Sequence, residues 1–151
     1  MKKRAYKAKT DDNFLNQVSF IVFVVRFNYK VVEAKWPQIE KAFFHFNIDR
    51  LSKMDENDLE PFLRAPGMIK NPWKIHSVLI NARKCAELRD NHETVLNWIA
   101  HAKEEIKKSP VLAPDLRECF QTFRGIGPLT STWLESIYSS EQPYVEYELP
   151  D

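Results

Sequence analysis

Apolar residues recur along most of this chain at the three-and-four spacing of helices, and no Asn-Gly or Asp-Gly hairpin signal interrupts them. Thr10-Asp11-Asp12 offers a helix cap ahead of an apolar run from Phe14 to Phe27. The Val, Ile and Phe of that run also suit a buried strand. Its length, about four helical turns, and its helical neighbours favour a helix buried on most sides. Trp36-Pro37 predicts a helix start, with Ile39, Ala42, Phe43 and Phe46 on one face. Ile48 to Met54 is short, and Asp55 caps a helix carrying Leu59, Phe62 and Leu63 that Pro66-Gly67 breaks. Asn71-Pro72 opens a long helix with Ile75, Val78, Leu79, Ala82 and Ala86 inward. After Asn91 to Glu93 the pattern restarts through Val95, Leu96, Ile99, Ala102 and Ile106. Lys107 and Lys108 then sit where a helix dipole favours cations. Ser109 to Pro114 reads as a loop and Asp115 to Phe123 as a helix. The last helix runs from about Pro128 to Tyr138, and the tail from Ser139 is turn-like, then extended.

Between the last two helices lies FRGIGPLTSTW. The chain has three glycines, and this turn uses two of them, Gly125 and Gly127. Glycines permit positive φ and close backbone approach. Pro128 suits a first helical turn. The N–H groups of Gly127, Leu129 and Thr130 would then face outward from a positive helix terminus, a ready phosphate site, with Ile126 packed inward. The bland alternative is a tight turn between helices that binds nothing.

Composition keeps these elements within one all-α domain. The chain has 151 residues, 44% hydrophobic and 28% charged, an ordinary globular balance. A net charge of +1 excludes a chromatin-type basic protein but not a local phosphate-binding patch. Cys85 and Cys119 stand apart without metal-ligand spacing and read as small buried hydrophobes of a reducing compartment. MKKRAYKAK lacks the apolar segment of a secretory signal, and the run from Val18 to Phe27 contains Arg26 and is too short to span a bilayer. We therefore expect a cytoplasmic monomer with no membrane association. Residues 1–9 form a basic arm, residues 10–138 the helical domain and residues 139–151 a tail. The arm reads either as a mobile segment reaching phosphate or as a solvated terminus. His45, His76, His92 and His101 have neither a nucleophile partner nor ligand spacing.

Two motifs resemble a known family. Phe123, Gly125, Ile126, Gly127 and Thr130 match the helix-hairpin-helix pattern of DNA-binding proteins, here spanning residues 115–138. APGMIKNPWKIHSVLINARK resembles a signature of the bacterial 3-methyladenine DNA glycosylase I family, carried by Gly67, Ile69, Lys70, Lys74, Ile75, Asn81 and Ala82. The Phe-rich and acidic segment EKAFFHFNIDRLSKMDENDLEPFL is similar to the same family. The likeness covers roughly residues 14–88 and 116–138.

The resemblance implies an all-helical glycosylase fold, double-stranded DNA as partner, and a monofunctional enzyme that flips an alkylated purine and hydrolyses its N-glycosidic bond. It implies no organic cofactor. The family's zinc ligands find no counterpart at either end, so no metal is expected. The family's pocket glutamate aligns with Ile21 and its pocket tryptophan with Tyr29. The resemblance thus makes Tyr29 a candidate for stacking on a base; Trp36 and Trp73, aromatics at helix starts, are candidates to line the pocket and equally core or staple residues. Trp98 and Trp133 read as core. Other glycosylases of the superfamily keep an aspartate beyond the glycine turn. PYVEYE places Glu146 near that position, as a catalytic carboxylate or as a solvated tail glutamate. Leu129 stands where bifunctional relatives keep a lyase lysine, which argues against strand cleavage. Lys70, Lys74 and Arg124 are phosphate-contact candidates beside Gly125, Gly127, Leu129 and Thr130. A non-catalytic DNA-binding module and a helical protein-interaction domain are the alternatives.

Overall fold

The computed structural model describes residues 1–149. Helix α1, Asp11–Val24, lies at the centre of a helical array and packs on the helices Tyr29–Ala42, Pro72–His92 and Val95–Lys108. Phe14, Leu15, Val18, Ile21, Val22, Phe23 and Val24 are all buried, so the apolar run is a helix covered on most sides. Thr10 Oγ1 accepts the Asn13 N–H at 3.1 Å, and Asp11 and Asp12 occupy the favourable first turn.

Helix α2 spans Tyr29–Ala42 and begins well before the expected Trp36-Pro37 start. The Asn28 side chain caps it by accepting the Val31 N–H at 3.1 Å, and Pro37 stands inside the helix. An internal proline costs about 3 kcal/mol. Val32, Trp36 and Ile39 are buried on one face. Burial worth about 1.5–3 kcal/mol for each such side chain outweighs the proline. After α2 the chain turns through Phe44, His45 and Phe46, all left-handed, with φ of 55°, 53° and 58°. Each costs about 1–2 kcal/mol. Ring stacking offsets this: Phe46 lies parallel to Trp36 at 5.5 Å and Phe43 to Phe62 at 4.8 Å.

Short helices α3 (Ile48–Leu51) and α4 (Leu59–Leu63) lead to α5, Pro72–His92. Asn71 caps α5 through the Lys74 N–H at 3.1 Å, and Pro72 takes the first turn. Helix α6, Val95–Lys108, starts on the buried carboxylate of Asp11, which accepts the Val95 and Leu96 N–H groups at 3.0 and 3.3 Å. The same carboxylate pairs with Arg89 at 2.9 Å, tying α1, α5 and α6 together. Helices α7 (Leu116–Phe120) and α8 (Ser131–Ser139) flank the glycine turn. Both are shorter than their patterns predicted, because residues 121–130 are used by the turn itself.

The basic start is a strand rather than an arm. β1 (Lys2–Tyr6) pairs antiparallel with β2 (Tyr144–Glu148), with Arg4 opposite Glu146. Lys3 Nζ reaches Glu33 at 3.0 Å and Tyr147 meets Tyr29, so the ribbon docks on α2. Among the described residues no helix is long and apolar enough to cross a membrane.

Candidate nucleic-acid interface

The two glycines of the turn serve different ends. Gly125 is left-handed, with φ +87°, and an added Cβ would lie 2.9 Å from Val22 Cγ2. Both conformation and packing demand glycine there. Gly127 is not left-handed, and an added Cβ would meet nothing within 4 Å. The fold itself therefore has no use for the missing side chain at Gly127. Asn81, buried in α5, clamps the turn from behind. Its amide donates to the Arg124 carbonyl at 3.0 Å and accepts the Arg124 N–H at 2.8 Å. Ile126 is buried, as expected.

The array of outward N–H groups is smaller than the motif suggested. Thr130 Oγ1 accepts the Gly127 N–H at 2.9 Å, so both groups are spent on holding the turn. Among the described residues, the N–H groups of Leu129 and Thr130 have no acceptor. Those two remain available to an external anion.

A cleft of about 980 Å³ lies beside the turn, near the upper end of the roughly 300–1,000 Å³ usual for ligand pockets. Val22, Arg26, Phe27, Trp73, Leu129 and Trp133 contribute to its walls. Trp73 is 50% exposed and Trp133 42%, so Trp133 is a cleft residue and not the core residue its apolar neighbours suggested. Leu129 is 78% exposed. The Arg124 guanidinium rests on the Trp73 ring at 4.5 Å, holding the indole at the cleft edge. No aspartate or glutamate is among the residues lining this cleft.

The other expected residues divide. Trp36 is a core residue: it is buried, its indole N–H donates to Asn16 Oδ1 at 2.9 Å, and it meets Phe20 edge-on at 5.0 Å. Tyr29 also meets Phe20 edge-on, at 5.3 Å, and its hydroxyl bonds to that of Tyr147 at 2.9 Å. Burial, helped by that bond, pushes the Tyr29 phenol well above its ordinary value and keeps it neutral. Of the three candidates, Trp73 lines the cleft, and Tyr29 and Trp36 are not among its lining residues. Ile21 is buried in the core. Glu146 pairs across the ribbon with Arg4 at 3.1 Å and lies outside the cleft lining. An exposed, cation-paired carboxylate on a strand does not have the placement its proposed catalytic role requires.

Lys74 also differs from expectation. Its stem is buried, and its ammonium donates to the carbonyls of Phe23 and Val25, at 2.7 Å each. It closes the C-terminal end of α1, where carbonyls lack helical partners. Burial lowers its pKa. Lys70 is exposed in the loop before α5. Sequence reasoning gave no role to Arg26, Phe27 or the Asn81 clamp. Arg26 is left-handed, φ 55°, immediately after the α1 terminus that Lys74 holds. Among the described residues no group of three or more His, Cys, Asp or Glu is arranged to hold a metal.

This helical array around a central apolar helix has the fold of a DNA glycosylase. A solved structure of 3-methyladenine DNA glycosylase I (TAG) superimposes with a TM-score of 0.69 at 18% identity, covering 88% of this chain and 81% of that one. The family model for methyladenine glycosylase matches residues 5–121, and the chain belongs to that family. No curated protein sequence matches it. The family match ends at Gln121, before the glycine turn, so the turn and its cleft are read from their own geometry.

Proposed function

We propose that the chain is a DNA-repair glycosylase that grips duplex DNA at the glycine turn and receives an alkylated purine, such as 3-methyladenine, in the adjoining cleft. Gly127 carries this reading. It is a glycine that neither backbone conformation nor packing requires, set beside two unpartnered N–H groups and an aromatic-walled cleft. A side chain is dispensable there when another backbone must come close. Residues α7 to α8 then act as a helix-hairpin-helix, with the Leu129 and Thr130 N–H groups on a phosphate oxygen.

The chemistry suits a cleft without a carboxylate. An N-alkylated purine in DNA is already cationic. When its bond to C1′ breaks, the base takes the electron pair and leaves neutral, so no general acid is needed. Water adds to C1′ and gives its proton to solvent. The exposed Trp73 face favours an electron-poor ring. Leu129 offers no amine for a Schiff base, so the strand stays intact at the abasic site. The absence of a carboxylate among the cleft-lining residues also favours a second reading, a damage-binding protein that performs no hydrolysis.

The test incubates methylated duplex DNA with wild-type, Gly127→Ala and Glu146→Gln proteins, and measures binding, free base and alkali-labile sites. Wild type releases base without nicking the strand, and Glu146→Gln matches it. Gly127→Ala folds normally and binds about tenfold more weakly, the loss of roughly one hydrogen-bonded contact. Binding without base release moves the assignment to the damage binder. No binding to duplex DNA at low salt sinks both readings.

A further inference from the structure

A second groove, of about 540 Å³, shares Gly125 and Ile126 with the aromatic cleft, so the glycine turn is the wall between them. The two differ in character. The second groove is lined by Arg83, Lys84 and Arg124, with Glu87 its one carboxylate. In a chain whose net charge is +1, that is a local concentration of cations. Five cations elsewhere, Lys3, Arg4, Arg64, Arg89 and Lys107, pair with carboxylates. Arg83 and Lys84 make no ion pair or side-chain hydrogen bond among the described residues. The groove is also rigid at its floor, because Asn81 holds both the N–H and the carbonyl of Arg124.

We infer that this groove is a second phosphate track, which seats the backbone of the same duplex beyond the phosphate held at the glycine turn. The inference rests on the DNA-binding reading above. Unpaired cations on a fixed helix face gain by displacing the counterions of a polyanion. The Arg124 guanidinium, stacked on Trp73, stands where the groove meets the aromatic cleft. A strand crossing the turn thus passes from aromatic walls, suited to a base, to basic walls, suited to phosphates.

The experiment titrates a fluorescent duplex with wild type, the Arg83→Gln/Lys84→Gln double variant and a Lys35→Gln/Lys41→Gln control over a range of salt concentrations. The control removes the same charge from α2, which lines neither groove. The Arg83/Lys84 variant is expected to bind more weakly at low salt, with the slope of log K against log salt shallower by about 1.8. The control keeps the wild-type slope. An unchanged slope in the Arg83/Lys84 variant, or an equal change in the control, overturns the phosphate track and leaves the DNA reading standing. Failure of wild type to bind duplex DNA at low salt overturns both.

Discussion

Replacing Lys74 by methionine separates a structural cation from a DNA-contacting one. Methionine keeps most of the buried stem but removes the ammonium that bonds to the Phe23 and Val25 carbonyls, at 2.7 Å each. Hydrogen bonds to a charged group are worth about 1.5–3 kcal/mol apiece. Relief of the ammonium's own desolvation returns part of that sum. We expect a net loss of about 2–3 kcal/mol, or roughly 5–10 °C in Tm for a chain of this size. The pH dependence follows from the lowered pKa of Lys74. Between that folded value and the ordinary 10.5 the unfolded chain binds more protons. Wild-type stability therefore gains on that of Lys74→Met as pH climbs through this window. Urea unfolding at several alkaline pH values measures both effects. Below its melting range the variant should keep the wild-type salt slope for duplex binding, since no phosphate contact has been removed. Unchanged stability together with a slope shallower by about 0.9 would refute the argument and return Lys74 to the DNA surface.

Burial raises the Cys85 thiol to about 12 from an ordinary value of 9.0. Its stabilising contribution is therefore complete below pH 9 and lost on rising toward pH 12. Between pH 8 and pH 10 wild type should lose about 1.4 kcal/mol more than Cys85→Ala, measured by denaturant unfolding of both proteins; parallel losses would exclude this thiol. His45 is exposed and left-handed, φ 53°. His45→Gly is expected to stabilise the fold by about 0.5–1 kcal/mol in thermal melts, since glycine meets no steric penalty there. A lower Tm would mean that the imidazole contributes more than the turn geometry indicates.

Much of the fold was legible because caps and apolar spacing agree in α1 and α5, where Thr10 and Asn71 each cap the helix that follows, while α6 was legible from apolar spacing alone and its cap, Thr94, was not. The start of α2 was not. Pro37 looks like a first-turn residue, and only the burial of Val32 and Trp36 on one face shows that the helix runs through it. The ribbon was half legible: the tail read as extended, but its partner lies more than a hundred residues away in sequence. Of the site, the glycine turn was plain from composition. The difference between Gly125 and Gly127 was not, because it depends on what surrounds each Cα. Lys74 and Trp133 were misplaced for a shared reason. Periodicity tells which face a residue is on, but not whether that face meets core, a carbonyl cage or an open cleft.

The ribbon also decides how the molecule responds to force. Lys2 pairs with Glu148 and Tyr6 with Tyr144, so the two strands run antiparallel from adjacent ends of the chain. Tension applied between residues near the two ends would load the ladder at its outer rung and open its bonds one after another, as a zipper, instead of shearing them together. The ribbon should therefore part at low force, while the helices beneath, tied through Asp11 and Arg89, still hold. A pulled molecule would show a small first extension with the helical core and the glycine turn intact, then a larger rupture at higher force.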